Sequence, residues 1–319
     1  MTSPLTICLL SSLAAALVTA LTLPLWRTWC RRIRLVDDPG HRKIHDQPTP
    51  LAGGLAVLTG LLLTLFAAWI IPNVLDAETA RQFTQQSATL AAILIGAAAM
   101  TLLGLLDDKF ELRPIIKFTS QLLIAAAVTA AGVRSGLSAA NPLLDQAVTI
   151  LWILTVTNAF NFMDNMNGLC AGLGVITAAF TGGIAVLHSQ FPIAMLAFAV
   201  GGAALGFLPF NYPRATAFLG DAGSHLLGFL LAVLTIQPEL WASTRPTPFS
   251  IFGPIPLLAV PLFDLVSVIL IRTRLGKPFY VGDNNHLSHR LVRRGPSRAA
   301  AVALIWFFAI LSGSLAFLL

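Results

Sequence analysis

Long apolar runs alternate with short polar segments along the whole chain. Each run approaches the roughly 20 residues that a helix needs to cross the hydrocarbon core of a bilayer. The apolar residues are continuous rather than alternating, which favours transmembrane helices over the strands of a membrane barrel. The pattern predicts an all-α polytopic membrane protein, a bundle of about ten transmembrane helices that forms a single domain over 1–319. The ten runs are 5–26, 51–71, 88–106, 116–133, 145–160, 168–187, 191–210, 217–236, 251–271 and 299–319.

Lysine and arginine are distributed unevenly between the polar segments. Of the 20 Lys and Arg residues, only Arg81, Arg134 and Arg245 follow an even-numbered run. Cytoplasmic loops of membrane proteins carry the excess of these residues. The distribution predicts that the segments after odd-numbered runs, including the long polar stretches 27–50 and 272–298, are cytoplasmic and that both termini lie outside.

The composition agrees with a membrane location and argues against a nucleic-acid partner. Hydrophobic residues make up 56% of the chain and charged residues 11%, with a mean hydropathy of +0.80. The net charge of +6 and the pI of about 9.8 are explained by the cytoplasmic Lys and Arg and by their attraction to anionic lipid head groups. The three cysteines show neither the spacing of disulfide pairs nor that of a metal site.

Two adjacent acids end the third run, in the stretch LLGLLDDKFELRP. The carboxylates of Asp107 and Asp108 repel each other unless a cation or a shared proton relieves them. A solvated helix end, neutralised by Lys109, is the simpler interpretation of this motif when it is taken alone.

Polar residues recur at every third position of NAFNFMDNMNGL. On a helix, Asn158, Asn161, Asp164 and Asn167 would cover one broad face. Amides and a carboxylate on that face can bind a polar ligand or a hard cation such as Mg²⁺. Interhelical hydrogen bonding by Asn is the alternative.

The stretch NYPRATAFLGDAGSHLLG places an acid at the start of the eighth run. Asp221 follows a glycine, with Asn211, Arg214 and Phe218 before it and His225 one turn later. A helix cap is the plain interpretation of Asp221. The density of polar residues at a membrane edge favours a site instead.

The fourth group, HLSHRL, combines His286, His289 and Arg290. Histidine and arginine bind phosphate oxygens, and arginine can do so through two hydrogen bonds. A transition-metal pair of histidines or an ordinary basic loop remain alternatives.

One further acid, Asp264, lies inside the ninth run. A charge there is costly unless it pairs with a cation of a neighbouring helix or stays protonated. We assign Asp264 no catalytic role from sequence.

The four groups fall on the same predicted side of the membrane. Carboxylates that bind Mg²⁺ and basic residues that bind phosphate together favour phosphoryl transfer at the membrane surface. An ion-coupled transporter would place such acids near the midplane, often within inverted repeats, and is less favoured.

Five stretches in this order carry a family resemblance: DDPGHRKIHDQPTPLAGGLAV, LLGLLDDKFELRP, NAFNFMDNMNGL, FLGDAGS and HLSHRL. The chain resembles the polyprenyl-phosphate N-acetylhexosamine-1-phosphate transferase superfamily, which contains MraY and WecA. The resemblance implies transfer of a sugar-1-phosphate from a UDP-sugar to undecaprenyl phosphate, with release of UMP, to start a cell-envelope glycan. It also implies Mg²⁺, with Mn²⁺ as an alternative, and a homodimer in the bacterial inner membrane with a cytoplasmic active site.

Residue roles follow from the same resemblance. The implied catalytic residues are Asp107, Asp108, Asp164 and His289, with one of the Asp pair handling the lipid phosphate. The implied metal ligands are Asp221, Asp164 and Asn161. Phe218 is implied to stack on uracil, and the histidine loop to hold the pyrophosphate or sugar. The implied substrate-binding residues are Lys43, His45, Asn158, Asn167, Asn211, Phe218, His286 and Arg290.

Two departures from the family pattern bear on function. Asn167 stands where a second acid is common, and its amide is suited to the imide edge of uracil. Ser288 stands where a histidine is expected, which places the chain nearer the WecA-like branch. An MraY-type reaction on a peptide-bearing substrate and a catalytically inactive homologue remain the alternatives.

Overall fold

The computed structural model describes residues 3–37, 48–70, 77–137, 141–237, 252–278, 280 and 282–318. Within these residues two short strands, β1 (Val36–Asp37) and β2 (Thr49–Pro50), pair antiparallel with Val36 opposite Pro50. A 3-10 helix, Ala316–Leu318, follows the last α-helix. The α-helices are α1 (Pro4–Arg32), α2 (Gly53–Ile70), α3 (Ala77–Gln85), α4 (Ser87–Phe110), α5 (Pro114–Ala130), α6 (Pro142–Met163), α7 (Leu169–Leu187), α8 (Phe191–Asn211), α9 (Gly220–Thr235), α10 (Pro254–Leu257), α11 (Ala259–Arg274), α12 (Leu287–Val292) and α13 (Arg298–Leu315).

Each of the ten apolar runs overlaps a helix, so the predicted class of helical membrane protein is confirmed. Among the described residues, seven helices are long and apolar enough to cross a bilayer: α1, α2, α4, α6, α7, α8 and the helix that begins at Arg298. Helices α5 and α9 are apolar but shorter, and the count of about ten spans stays a prediction. Leu21 and Ile95, 74% and 70% exposed, fit a lipid-facing surface.

Local sequence explains where several helices begin. The Asn141 side chain accepts a hydrogen bond from Leu144 N at 3.1 Å, and Ser297 Oγ accepts one from Ala300 N at 3.2 Å. Both are N-caps that satisfy amides left free at a helix start. Proline occupies the first turn of α1, α5, α6 and α8, where its missing N–H costs nothing.

Helix α9 lies at the centre of the bundle. Every residue from Ala222 to Gln237 is buried, and α9 packs against α2, α4, α6, α7 and α8. Glycines let the backbones touch: a Cβ on Gly104 would collide with the Asp221 carbonyl, and one on Gly228 would lie 2.7 Å from Thr157 Cα. This close packing brings the end of α4 against the start of α9.

Successive long helices run in opposite directions, so the polar ends gather at one end of the bundle. Helices α4, α6, α8 and α11 end there, and α5, α7, α9 and α13 begin there. We call this the site end.

A buried carboxylate marks the opposite end. Asp145, 4% exposed in the first turn of α6, accepts hydrogen bonds from the Ser135 hydroxyl and from Leu137 N, the latter at 3.0 Å. It fastens the segment after α5 to α6, far from the residues that carry the predicted chemistry.

Candidate active site

A lysine joins two of the predicted acids. Lys117 Nζ lies 2.7 Å from Asp107 Oδ2 and 2.6 Å from Asp221 Oδ2. Lys109, the residue expected to neutralise the pair, instead donates to the Ile33 carbonyl at 2.5 Å beyond α1. That expectation is wrong because the last turn of α4 points Lys109 away from the carboxylates.

Asp108 caps α9. Its Oδ1 accepts from Asp221 N at 2.8 Å and its Oδ2 from Ala222 N at 3.1 Å, so a carboxylate on α4 satisfies the first amides of another helix. Gly220 has φ +72°, and a Cβ there would lie 2.6 Å from Asp108 Oδ2. Asp221 is therefore not the cap of its own helix, and its side chain is left to the polar cluster.

Asn161 completes this cluster from α6. Its Nδ2 donates to Asp221 Oδ1 at 2.8 Å and to Ser224 Oγ at 3.0 Å. We call Asp107, Asp108, Lys117, Asn161 and Asp221 the acid cluster.

The predicted single helical face through the Asn-rich stretch is wrong in its second half. Helix α6 ends at Met163, so only Asn158 and Asn161 share a helix, and Asp164 and Asn167 lie in the turn before α7. Asn158 lies deeper in the bundle, where its amide donates to Gln121 Oε1 at 2.8 Å. This contact is the interhelical alternative, and it separates Asn158 from the site.

A cavity of about 900 Å³ opens at the site end. It brings together predicted residues from four different connections, and Asp107, Asn158, Asn161, His286 and Arg290 are not among those that line it. Lys43 and His45 lie outside the described residues. The lining residues predicted from sequence are Asp108, Asp164, Asn167, Asn211, Phe218, Asp221 and His289.

Two residues that line this cavity, Asp164 and His289, have shifted pKa values. Removal from water raises the pKa of Asp164 well above its ordinary value, and the charges of Asp221 and Asp108 add to the effect. Burial also lowers the pKa of His289, as do the positive charges of His286, Arg293 and Arg298. His289 is therefore a neutral hydrogen-bonding group at pH 7.

His286 and Arg290 are turned to other partners. His286 is 6% exposed, with Nδ1 hydrogen-bonded to Asp264 Oδ2 at 2.7 Å. Arg290 Nη2 donates to Ser267 Oγ at 2.8 Å. Since neither lines the cavity, the geometry does not support the predicted phosphate contacts of these two residues.

Two asparagines shape the wall formed by the α8–α9 connection. Asn211 is buried; it accepts from Gly168 N at 2.5 Å and donates to the Ala217 carbonyl at 3.0 Å. These bonds occupy its amide in holding the wall. Asn167 donates to the Pro213 carbonyl at 3.2 Å at the cavity edge.

Sequence reasoning gave no role to three cations at the site end. Lys117 counted only as a loop cation, although Pro114 starts a new helix four residues after Phe110 and so folds Lys117 back beside Asp107. That short α4–α5 connection was the available signal. Arg214 and Arg298 line the cavity; Arg214 belongs to the polar set before Asp221 that favoured a site, whereas nothing in the sequence context of Arg298 marked it.

The donor set fits a hard divalent cation. Asp107 and Asp221 contact the Lys117 ammonium, Asn161 binds Asp221, and Asp108 accepts the amide of Asp221. Carboxylate and amide oxygens are the ligands that Mg²⁺ prefers. Among the described residues, no three His, Cys, Asp or Glu side chains form a ready ligand set. Mg²⁺ commonly needs only one or two carboxylates, with water and substrate phosphates completing its shell. Asp221 and Asp164, both at the cavity wall, would hold it.

Comparison with known proteins agrees with this chemistry. The model of glycosyl transferase family 4 matches residues 90–239. The decaprenyl-phosphate N-acetylglucosaminephosphotransferase of Mycobacterium leprae is 33% identical, over 94% of this chain and 80% of that protein. The probable undecaprenyl-phosphate N-acetylglucosaminyl 1-phosphate transferase of Bacillus subtilis is 32% identical, over 93% of this chain and 80% of that protein. The undecaprenyl-phosphate alpha-N-acetylglucosaminyl 1-phosphate transferase of Escherichia coli K12 is 27% identical, over 94% and 80%.

Proposed function

The chain belongs to the polyprenyl-phosphate N-acetylhexosamine-1-phosphate transferases of glycosyl transferase family 4, and from this premise we propose that it transfers N-acetylglucosamine-1-phosphate from its UDP-sugar to undecaprenyl phosphate. UMP would leave, and the lipid-linked sugar would start a cell-envelope glycan. One observation carries the proposal for this chain: Asp108, Asp164, Asp221 and His289 meet in one cavity at the end of an apolar helix bundle.

The proposed reaction is a single displacement. An oxygen of the lipid phosphate attacks the β-phosphorus of the UDP-sugar, a new P–O bond forms, and the bond from that phosphorus to the UMP oxygen breaks. A phosphate monoester is already largely ionised at pH 7, since its second pKa is about 6. The protein therefore has more need to position and neutralise two anions than to generate a nucleophile.

Of the two adjacent acids, Asp108 is the one that lines the cavity. Asp107 is engaged by Leu112 N at 2.8 Å and by Lys117 at 2.7 Å, and it is not among the lining residues. We assign Asp108 to the lipid phosphate and Asp107 to holding Lys117 in place.

Cations around the cavity suit the diphosphate. Arg214 and Arg298 at the wall would bind its oxygens, and the neutral His289 would donate a hydrogen bond to the phosphate or sugar. Mg²⁺, or Mn²⁺, would be held by Asp221 and Asp164. When bound, it would neutralise charge that develops on the leaving UMP.

The nucleoside would lie at the wall formed by Phe218 and Asn167. Both line the cavity, and an aromatic ring together with a side-chain amide suits a uracil base. Asn211, occupied by two backbone groups, supports this wall rather than contacting the base.

The membrane placement follows the distribution of Lys and Arg. We place the protein in the bacterial inner membrane with the site end cytoplasmic and both termini outside. A homodimer is part of the same proposal, and cross-linking in membranes measures it.

The test is UMP release by purified protein with undecaprenyl phosphate, Mg²⁺ and a panel of UDP-sugars. Release that requires both lipid and UDP-N-acetylglucosamine supports the proposal. Release with a UDP-linked muramoyl peptide alone would point to the MraY-type reaction. Absence of release with every sugar, with UDP-sugar binding retained, would identify an inactive homologue.

A further inference from the structure

A buried carboxylate outside the cavity holds the histidine loop. Asp264 is fully buried in α11, and its two oxygens face two groups of the loop. Oδ2 lies 2.7 Å from His286 Nδ1, and Oδ1 accepts from Leu287 N at 2.5 Å. Sequence alone left two alternatives for Asp264, a cation of a neighbouring helix or a protonated acid. The observed partners are His286 and Leu287, where α12 begins.

Two further hydrogen bonds hold α12, one to α11 and one to the turn after α6. Arg290 reaches Ser267 of α11 at 2.8 Å, and the buried Ser288 donates to Asn165 Oδ1 at 2.5 Å in the turn after α6. Asp264 and Ser267 are one turn apart, so α11 holds both ends of the short helix. The family departure at Ser288 thus has a structural use, because its hydroxyl ties α12 to the turn that carries Asp164.

Helix α12 cannot be stable by itself. It spans six residues, Leu287–Val292, and isolated helices shorter than about 12 residues are marginal in water. Its amide at Leu287 is satisfied by Asp264 rather than by a side chain of its own N-cap residue, His286. The direction in which α12 points therefore depends on contacts with its neighbours, among which α11 supplies Asp264 and Ser267.

His289 is the member of α12 that lines the cavity. The anchoring groups, on His286, Leu287, Ser288 and Arg290, leave His289 directed to the other side. The ring of His286 also packs edge-on against Phe162, with centroids 5.5 Å apart, just before the turn that carries Asp164. Movement of His286 would thus displace His289 relative to Asp164.

We propose that Asp264 is a positioning residue, which holds α12 through His286 and Leu287 so that His289 faces the reacting phosphates. The inference rests on the proposed function for its kinetic consequence. Its structural half, the anchoring of α12, stands independently of any substrate.

The matched variants are Asp264→Ala, Asp264→Asn and Asp145→Asn. Asp145 is also a buried helical carboxylate that accepts a backbone amide and a side chain, but at the opposite end. Asp264→Asn keeps an oxygen that can accept from Leu287 N. Asp145→Asn reports what loss of a comparable buried contact does to the fold alone.

Hydrogen exchange of the 286–293 segment tests the anchoring without a measurement of enzyme activity. We expect faster exchange in Asp264→Ala, an intermediate rate in Asp264→Asn and the wild-type rate in Asp145→Asn. Unchanged exchange in Asp264→Ala would overturn the proposal, whatever the protein catalyses.

Kinetics test the positioning role. We expect Asp264→Ala to lower kcat by about 10- to 100-fold, the cost of misplacing a group near the reacting atoms, with KM for both substrates changed by about twofold or less. Partial recovery in Asp264→Asn is expected. Equal kcat in Asp264→Ala and Asp145→Asn, at equal thermal stability, would overturn the kinetic half. Failure of the wild-type protein to turn over would contradict the proposed function and leave the exchange result to decide the anchoring.

Discussion

Two clusters of acidic side chains at the site end differ in how many of their acids have a side-chain partner of their own. In the acid cluster, Asp107 and Asp221 share the single ammonium of Lys117, and Asp108 lies beside them with, among the described residues, only backbone amides of α9 as its hydrogen-bond donors. In the anchor cluster beside α12, each acid has its own basic partner: Asp264 is bonded to His286, and Asp283 to Arg272 at 3.2 Å. Both groups lie close to apolar helices, so desolvation bears on both.

The difference separates function from architecture. An acid that already has a side-chain partner of its own needs no ligand, because each partner compensates the desolvation of the other. Charge left in excess at a membrane edge is costly and points to a cation or substrate that completes it. The acid cluster is incomplete as built, and the anchor cluster is complete.

The strongest test of the comparison is Asp221→Asn. We expect UMP release to fall by about 10²- to 10³-fold, since one preorganised electrostatic contact of this kind is worth that much. The measurement is kcat at saturating substrates and Mg²⁺. Asp145→Asn is the control, and an equal loss there would mean that any buried carboxylate matters as much.

Lys117→Met removes the only ammonium of the acid cluster and leaves Asp107 and Asp221 facing each other. We expect this variant to gain more thermal stability from added Mg²⁺ than the wild type does, because a divalent cation would relieve the repulsion. Thermal melting in detergent across a Mg²⁺ series measures the effect. Lys109→Met is the control, since Lys109 bonds backbone carbonyls near α1. Identical Mg²⁺ responses in the two variants would contradict the account.

Asp283→Asn tests the anchor cluster, by removing the charge that pairs with Arg272. Burial alone would raise the pKa of Asp283, but hydrogen bonds from Arg272 and Asn285 outweigh it and lower the pKa to about 2. A lowered folded-state pKa contributes stability above the unfolded-state value of about 3.9, and that stability is lost as the pH falls towards 2. We expect the variant to be less stable by about 2 kcal/mol at pH 7 and the gap to narrow below pH 4. A gap that is constant down to pH 3 would contradict the pairing.

Asn167→Ala probes an uncharged cavity residue and should have the smallest effect. Loss of one hydrogen bond, about 0.5–1.5 kcal/mol, predicts a rise of about 2- to 10-fold in KM for the UDP-sugar. KM for the lipid should stay unchanged. Equal changes in both Michaelis constants would remove the proposed role of Asn167 at the uracil.

The apolar pattern predicted most of the helices, for a physical reason. Lipid forces backbone groups to pair within each segment, so an apolar run of sufficient length becomes a helix. The pattern missed α3, which is not apolar enough to form such a run, and ended α6 three residues early because Asn161 interrupts the run.

The site was predicted at the level of connections rather than contacts. Alternating helices had to bring Asp108, Asp164, Asp221 and His289 to one end, and the structure places them around one cavity. Sequence cannot give the rotation of each helix. That is why Asn158 and His286, predicted to bind substrate, meet Gln121 and Asp264 instead.

The central claim is that the acid cluster is completed by a divalent cation, and direct metal binding tests it. Mn²⁺ binding to purified protein, followed by electron paramagnetic resonance and competed with Mg²⁺, should show a saturable site that is lost in Asp221→Asn and retained in Asp145→Asn. Equal binding by the two variants, or full turnover of the wild type in excess chelator, would contradict it.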